Sequence, residues 1–291
     1  MGDRVVADRH AAVDGSIPPP GVLYVVSTPI GNLEDITLRA IETLRRVDYV
    51  LAEDTRHSRH LLAHHGIDAR LVSYHEHNEA RATAAALGRL HEGADIALIS
   101  DAGTPLLSDP GGRIVSAAVE AGIPVVPIPG PSALLAAVVT SGLASDRFTF
   151  FGFLARKGRE REDAIQDLSG LPHTAVLYEA PGRVAATLAE LERRGAGERR
   201  ASVARELTKQ FEEIRRGTVA ELAAYYEGSP PRGEVVIVLE GRAPQPIVED
   251  ELRVRARALR AAGLSARDVA ATLAREDGAS RNLAYKLAHE A

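Results

Sequence analysis

The segment from Leu98 to Leu134, with the strand that leads into it, constrains the fold more than any other part of this chain. Asp95 to Ser100 (DIALIS) is an apolar run of the length and flanking expected of a strand buried on both faces. It breaks into a Gly/Pro/Asp loop, Asp101 to Gly112, followed by a helix-like stretch from Arg113 to Ala121. A second, β-branched run from Pro124 to Ile128 ends in Pro129-Gly130-Pro131-Ser132, and another helix begins there. Strand, loop, helix, strand, loop, helix is a βαβ unit whose loops leave the carboxyl ends of its strands. In open α/β sheets those ends are where ligands bind.

The composition of the two loops narrows the ligand. Gly103, Gly111, Gly112 and Gly130 let backbone run close to a bound molecule, while Pro105, Pro110, Pro129 and Pro131 stiffen the loops beforehand. No GxGxxG occurs in the chain and no GK[ST] follows a glycine-rich loop, so both standard phosphate cradles are missing. Rigid loops offering backbone amides, with no lysine for phosphates, fit a small nucleoside-like molecule. The alternative is a pair of tight turns that bind nothing.

The remaining composition mainly excludes. The 291 residues include no cysteine, which rules out disulfides and cysteine-ligated zinc and suits a cytoplasmic protein. The longest apolar run, Ala133 to Val139, is far too short to cross a bilayer. Residues 1–20 carry three acids and no apolar core, so a disordered leader is expected rather than a signal peptide. The net charge of −5 does not announce a nucleic-acid binder, although arginines can still gather on one surface.

Taken in order, the chain predicts strands at Val22–Ser27, Tyr49–Ala52 and Leu71–Ser73. Helices are expected at Thr37–Arg46, Thr55–His65 and Asn78–His91, giving a parallel, helix-flanked sheet up to about residue 145. After Asp146 the pattern restarts with a phenylalanine-rich strand, Phe148–Phe153, and a charged helix, Gly158–Leu168. Strands follow at Ala175–Tyr178, Ala201–Arg205 and Glu234–Leu239, with a helix at Arg183–Arg194. Thr218-Val219-Ala220-Glu221 reads as a capping box opening one more helix. Residues 242–250 form a proline-containing linker. Residues 251–291 have helical periodicity, N-cap candidates Ser265 and Ser280, and eight basic residues against five acids. That tail is either an RNA-contacting appendage or a plain stabilising helical cap.

The stretches GVLYVVSTPIGNLEDITLRAIETL, LAEDTRHSRHLL, YHEHNE, LISDAGTPLLSDPG and PIPGPSAL, with FGFL, YEAPGRV, RELTKQFEE and GEVVIVLEG, resemble the ribosomal-RNA branch of the tetrapyrrole methylase family. The resemblance runs from about residue 21 to 241. It implies an α/β fold with two α/β domains, 21–145 and 146–241, a cofactor cleft between them, and a small C-terminal helical module at 251–291. It implies S-adenosylmethionine as cofactor and 2′-O-methylation of a cytidine ribose in the decoding region of 16S rRNA, by a homodimer that engages neither membrane nor DNA. For the cofactor it points to Pro29, Asp101, Ala102, Gly103, Thr104, Ser108, Pro131, Ser132 and Ala133, and Tyr178 and Gly241 follow later strands expected to face the same cleft. Tyr178 could also be an ordinary core tyrosine at a strand end.

Ribose methylation needs an in-line methyl, an exposed nucleotide and a group that takes the hydroxyl proton. Two charged clusters end apolar strands, where charge is costly without a task or partner. In Glu53-Asp54-Thr55-Arg56 the candidate base is Asp54; in Arg205-Glu206-Leu207-Thr208-Lys209 the candidates are Glu206 and Lys209. The bland reading of each is an ion pair that holds loop shape. Arg56, Arg183 and Arg205, with His75 and His77 of YHEHNE, are candidate RNA contacts. His57, His60 and His64 would share a helical face and could be metal ligands, but without HExxH or cysteine a solvated face or substrate contact is the stronger reading, and no metal is expected. Two alternatives remain: methylation of a small tetrapyrrole, and a non-enzymatic ribosome-assembly module with vestigial loops.

Overall fold

The computed structural model describes residues 19–243 and 249–291; the expected leader, apart from its last two residues, and residues 244–248 of the expected linker lie outside them. The first half alternates β1 (Leu23–Val26), α1 (Leu38–Arg46), β2 (Tyr49–Ala52), α2 (Thr55–His64), β3 (Leu71–Ser73), α3 (Glu79–His91), β4 (Ile96–Ile99), α4 (Gly112–Glu120), β5 (Val125–Ile128) and α5 (Ala133–Ser141). Its strands form one all-parallel sheet in the order β3-β2-β4-β1-β5. Side chains alternate across a strand, so β4 feeds two cores. Ala97 and Ile99 pack toward α1 and α2, while Ile96 and Leu98 pack toward α3 and α4. Burial on both faces is why these strands read as short unbroken apolar runs.

The second half comprises β6 (Phe148–Phe153), α6 (Arg159–Gly170), β7 (Thr174–Glu179), α7 (Val184–Leu191), β8 (Arg200–Arg205), β9 (Glu213–Thr218), α8 (Val219–Gly228) and β10 (Val235–Leu239). Its sheet is mixed, ordered β6-β7-β10-β8-β9: β6 and β7 are parallel and the other pairs antiparallel. Helices α6, α7 and α8 cover one face. The other face takes α5, whose Leu134, Ala137 and Val138 pack on Val176, Ala204, Val236 and Val238. The helix that ends the first half in sequence therefore belongs to the core of the second sheet. The described residues up to Gly241 form one compact unit.

Strand β9 is the element absent from the sequence reading. Its EIRRGT lacks an apolar face because it is an edge strand, and charge on an edge discourages pairing with another chain. It is held by cross-strand partners instead, with Arg205 opposite Glu213 and their side chains 2.8 Å apart.

The described residues from Arg242 onward form a separate unit. It contains α9 (Glu249–Ala261), α10 (Ala266–Glu276) and α11 (Arg281–Glu290) around Leu252, Val269, Leu273 and Leu287, with Ser265 and Ser280 as N-caps. Helix α9 starts at Glu249, inside the expected linker. Part of its positive charge is spent internally: Arg255 pairs with Glu276 and Asp277, and Arg253 with Glu249.

The capping box at the start of α8 forms as expected: Thr218 Oγ1 accepts from Glu221 N, and the Glu221 carboxylate accepts from Thr218 N. Thr218→Ala should cost about 1 kcal/mol, read as a drop of about 2–4 °C in the thermal midpoint of a chain this long. An unchanged midpoint would contradict the cap.

Candidate active site

The site grows from three loops that leave β1, β4 and β5, neighbours in the parallel sheet. Thr28 and Gly103 exchange backbone hydrogen bonds of 2.9 and 3.0 Å, which ties the first loop to the second. The Thr28 hydroxyl donates to the Ser100 carbonyl at 3.0 Å, Ser27 and Thr104 share a hydroxyl contact at 3.0 Å, and Thr104 donates to the Pro131 carbonyl at 3.1 Å. All three loops are thus fixed to one another without a ligand. Gly103 has φ +83°, a conformation that favours glycine, and a Cβ there would press on the Ile30 side chain at 3.2 Å. Leu106 and Ser108 also sit at positive φ, +73° and +70°. Two side-chain-bearing residues held left-handed in one loop store strain, which accumulates at functional sites.

Between these loops and the second sheet lies a cavity of about 330 Å³. One wall carries Ala102, Gly103, Thr104, Ser108, Ser132 and Ala133; the other carries Tyr178 with the segment Gly233–Val236. Seven of the cofactor candidates thus meet around one space. Pro29 and Pro131 belong to the loops, and Pro131 contributes its carbonyl to Thr104. Asp101 faces back toward the sheet, accepting from Asp54 N at 3.1 Å.

Gly241 requires a correction. Strand β10 runs antiparallel to β7, with Val235 opposite Glu179 and Leu239 opposite Ala175, so its amino end meets the cavity and its carboxyl end points away. Gly241 packs instead on His173, where a Cβ would fall 2.5 Å from Cα. The rule that ligands gather at carboxyl ends holds for the parallel sheet and fails for this strand.

The charged clusters separate in role. Asp54 caps α2, accepting from Arg56 N at 2.8 Å and His57 N at 3.4 Å, and the first of these bonds is the main reason its carboxyl sits below the usual range. Arg56 points into solvent at 89% exposure. Lys209 Nζ donates to Glu206 at 3.0 Å and to Glu234 at 3.1 Å. Burial opposes its charge, but the two carboxylates outweigh burial and its pKa is raised, away from base work. Glu206 is lowered, first by the Glu234 backbone N–H and then by Lys209. The trio still borders the cavity, since Glu234 lines it and a Cβ on Gly233 would strike the Glu206 carboxylate.

Asp109 is the functional candidate that sequence reasoning missed. It lines the cavity, and burial, followed by the charges of Glu53 and Asp101, pushes its carboxyl up to about 7. Glu53 is raised too, first by burial and then by Asp101, with His75 opposing. Asp109 stands in a Pro/Gly loop where an acid looks like turn chemistry; only folding brings to it Glu53, from the end of β2, and Asp101, from the start of its own loop.

The other contacts are distributed more widely. In YHEHNE, buried Tyr74 donates to Glu79, and Glu79 accepts from Gly111 N at 3.2 Å, so this motif braces the loop after β4. His75 and His77 rest ring to ring at 5.9 Å. Arg183 holds the buried Glu179 carboxylate and the Leu154 carbonyl, and Arg205 holds Glu213. His57, His60 and His64 are exposed, and among the described residues no group of three or more His, Asp or Glu side chains could hold a metal ion.

Comparison with known proteins fits this geometry. The family model for Tetrapyrrole (Corrin/Porphyrin) Methylases matches residues 22–223. The chain is similar to a Synechocystis protein named ribosomal RNA small subunit methyltransferase I, 47% identical over 273 residues, covering 93% of this chain and 98% of the relative. A protein of the same name from Escherichia coli O157:H7 is 44% identical, covering 97% and 98%. Among solved structures, the uroporphyrin-III C-methyl transferase of Thermus thermophilus complexed with S-adenyl homocysteine shares the fold, with TM-score 0.55 and 21% identity over 76% of this chain and 97% of that one. With the family model matching residues 22–223 and relatives alike over nearly their full length, this chain belongs to the tetrapyrrole methylase family.

Proposed function

We propose that the chain transfers the methyl group of S-adenosylmethionine to the ribose 2′-hydroxyl of a cytidine in the decoding region of 16S rRNA, acting as a cytoplasmic homodimer. The observation that carries this reading is the near-full-length likeness to relatives named for small-subunit rRNA methylation. Two residues add support for a dimer: Leu135 and Val139, one turn apart on α5, are both exposed. No described helix is long and apolar enough to cross a membrane.

The residues present fit a nucleoside-like cofactor. The cavity wall is backbone and small side chains, its glycine is one a Cβ would spoil, and Tyr178 offers an aromatic flank. Thr104, Ser132 and Ala133 would hold it through amides and hydroxyls, with Gly103, whose amide is already bonded to Thr28, giving only a close approach. When bound, S-adenosylmethionine supplies an electrophilic methyl group. The chain's own task is then to orient the ribose and receive its proton. Asp109 supports that second role best, because it lines the cavity and is half ionised near neutrality. Asp54 is occupied by its cap, and Lys209 already holds its proton between two carboxylates. Glu206 and Lys209 instead support a positioning role, bracing Gly233 and Glu234 at the cavity edge.

Incubation with methyl-labelled S-adenosylmethionine and small ribosomal subunits from a strain lacking the gene tests the reading. Label at a cytidine 2′-oxygen of 16S rRNA is expected. Label that enters a tetrapyrrole and no RNA would overturn it. Asp109 gives a second expectation. A base works ionised, so single-turnover rates should rise with pH and level off above about 7; Asp109→Asn should abolish that rise and lower the rate by about 10²–10⁴-fold. An acid whose folded pKa is raised loses stability for the fold as pH climbs from its unfolded to its folded pKa, because only the unfolded chain ionises it there. The same variant should therefore gain thermal stability relative to the parent, little near pH 4 and increasingly up to pH 7, with a plateau above. A parent-like rate and pH profile in the variant would remove Asp109 as the base.

A further inference from the structure

The phenylalanine-rich strand β6 holds a device the reaction described so far does not use. Its FTFFGF contains four of the chain's five phenylalanines. Pairing with β7 runs Phe148 to Thr174, Thr149 to Ala175 and Phe150 to Val176, then resumes at Phe153 opposite Tyr178. Three steps on β6 thus match two on β7, so one residue is inserted. Gly152, at φ +62°, carries the irregularity, and a Cβ there would lie 3.0 Å from Ser108 Oγ in the strained loop across the cavity.

The consequence is a change of face. Phe148 and Phe150 point to the core shared with α5, and Phe151 to the opposite core under α6 to α8. Strict alternation would send Phe153 after Phe151, into the helix-covered side. The extra residue reverses this and brings Phe153 beside Tyr178, ring centroids 5.4 Å apart, with Phe150 meeting Tyr178 edge-on at 4.9 Å. Bulges that re-aim a side chain are concentrated next to active sites. Phe153 ends up lining the cavity yet 58% exposed, a flat apolar ring facing open space at the rim. The strand ends are held on both sides of it: Arg183 binds the Leu154 carbonyl and the buried carboxylate of Glu179.

We propose that Phe153, aimed by the Gly152 bulge and backed by Tyr178, is a stacking platform for the base of the target nucleotide. This rests on the RNA-methylating reading above. A nucleotide whose ribose enters the cavity must leave its own stack, and an aromatic side chain can take over the lost base–base contact. Such a contact is tolerant of base identity, so it positions rather than specifies. The adenine of the cofactor presents the same flat chemistry, but the exposure of Phe153 at the rim, with the amide-bearing loops lining the opposite wall, favours the substrate.

The test compares Phe153→Ala, Phe153→Leu and Phe153→Tyr with the parent. Steady-state methylation of small subunits would be measured alongside calorimetric titration with S-adenosylhomocysteine and thermal midpoints. Phe153→Ala and Phe153→Leu should lose about tenfold or more in kcat/KM for RNA, mostly through KM, with S-adenosylhomocysteine affinity and midpoint near parental. Phe153→Tyr, which keeps a flat ring, should recover most of the loss. Full activity in Phe153→Leu would show that bulk rather than a flat face matters and would overturn the platform. A fall in S-adenosylhomocysteine affinity with RNA KM unchanged would assign the ring to the cofactor and overturn it as well. A parent that labels no RNA would remove the function reading and this inference together, whereas the other two outcomes leave that reading intact.

Discussion

Two backbone hydrogen bonds, exchanged between Thr28 and Gly103, are the contact on which the rest of the site depends. They join the loops after β1 and β4, and the Ser27–Thr104–Pro131 chain of hydroxyl contacts extends the tie to the loop after β5. Loops normally move more than the elements they connect. Here the backbone groups are committed to each other before any ligand arrives, so the ordering cost of binding is already met in folding. At the bridge Gly103 takes φ +83°, which favours glycine, and Ile30 lies against it.

The parallel half was legible in the sequence because burial on both faces leaves a plain signature. Runs such as Ile96–Ile99 and Tyr49–Ala52 are apolar throughout, and a Gly/Pro loop marks where the first stops and a charged cluster where the second does. The backbone-rich cavity wall was legible for the same reason, since glycine and proline reveal conformation locally. The second sheet was less so. β9 has charged residues where a pattern search needs apolar ones, and its stability comes from partners such as Arg205 that sequence spacing does not pair. The misplacement of Gly241 came from carrying the parallel-sheet rule into an antiparallel strand. The bulge at Gly152 left no pattern of its own: FTFFGF looks like a regular strand, and only the register against β7 exposes the extra residue.

Electrostatics divide the carboxylates around the cavity by what surrounds each. Glu206 has a backbone N–H and a lysine, and it stays ionised. Asp109 has burial and two acids, and it holds a proton far more readily. Oppositely tuned carboxyl groups in one site are a common way of separating a structural ion pair from a proton acceptor. The strain at Leu106 and Ser108 lies in the loop that presents Asp109, so conformational cost and raised proton affinity coincide at one place in the chain.

The central claim is that the methyl donor lies against the stitched loops, between the two sheets. A crystal structure of the chain with S-adenosylhomocysteine tests this most directly. Ligand density contacting the backbone of Ala102 to Thr104 and of Ser132 to Ala133, with Tyr178 on its other side, is the predicted result. Density at any other position, with that cavity holding only solvent, would contradict it.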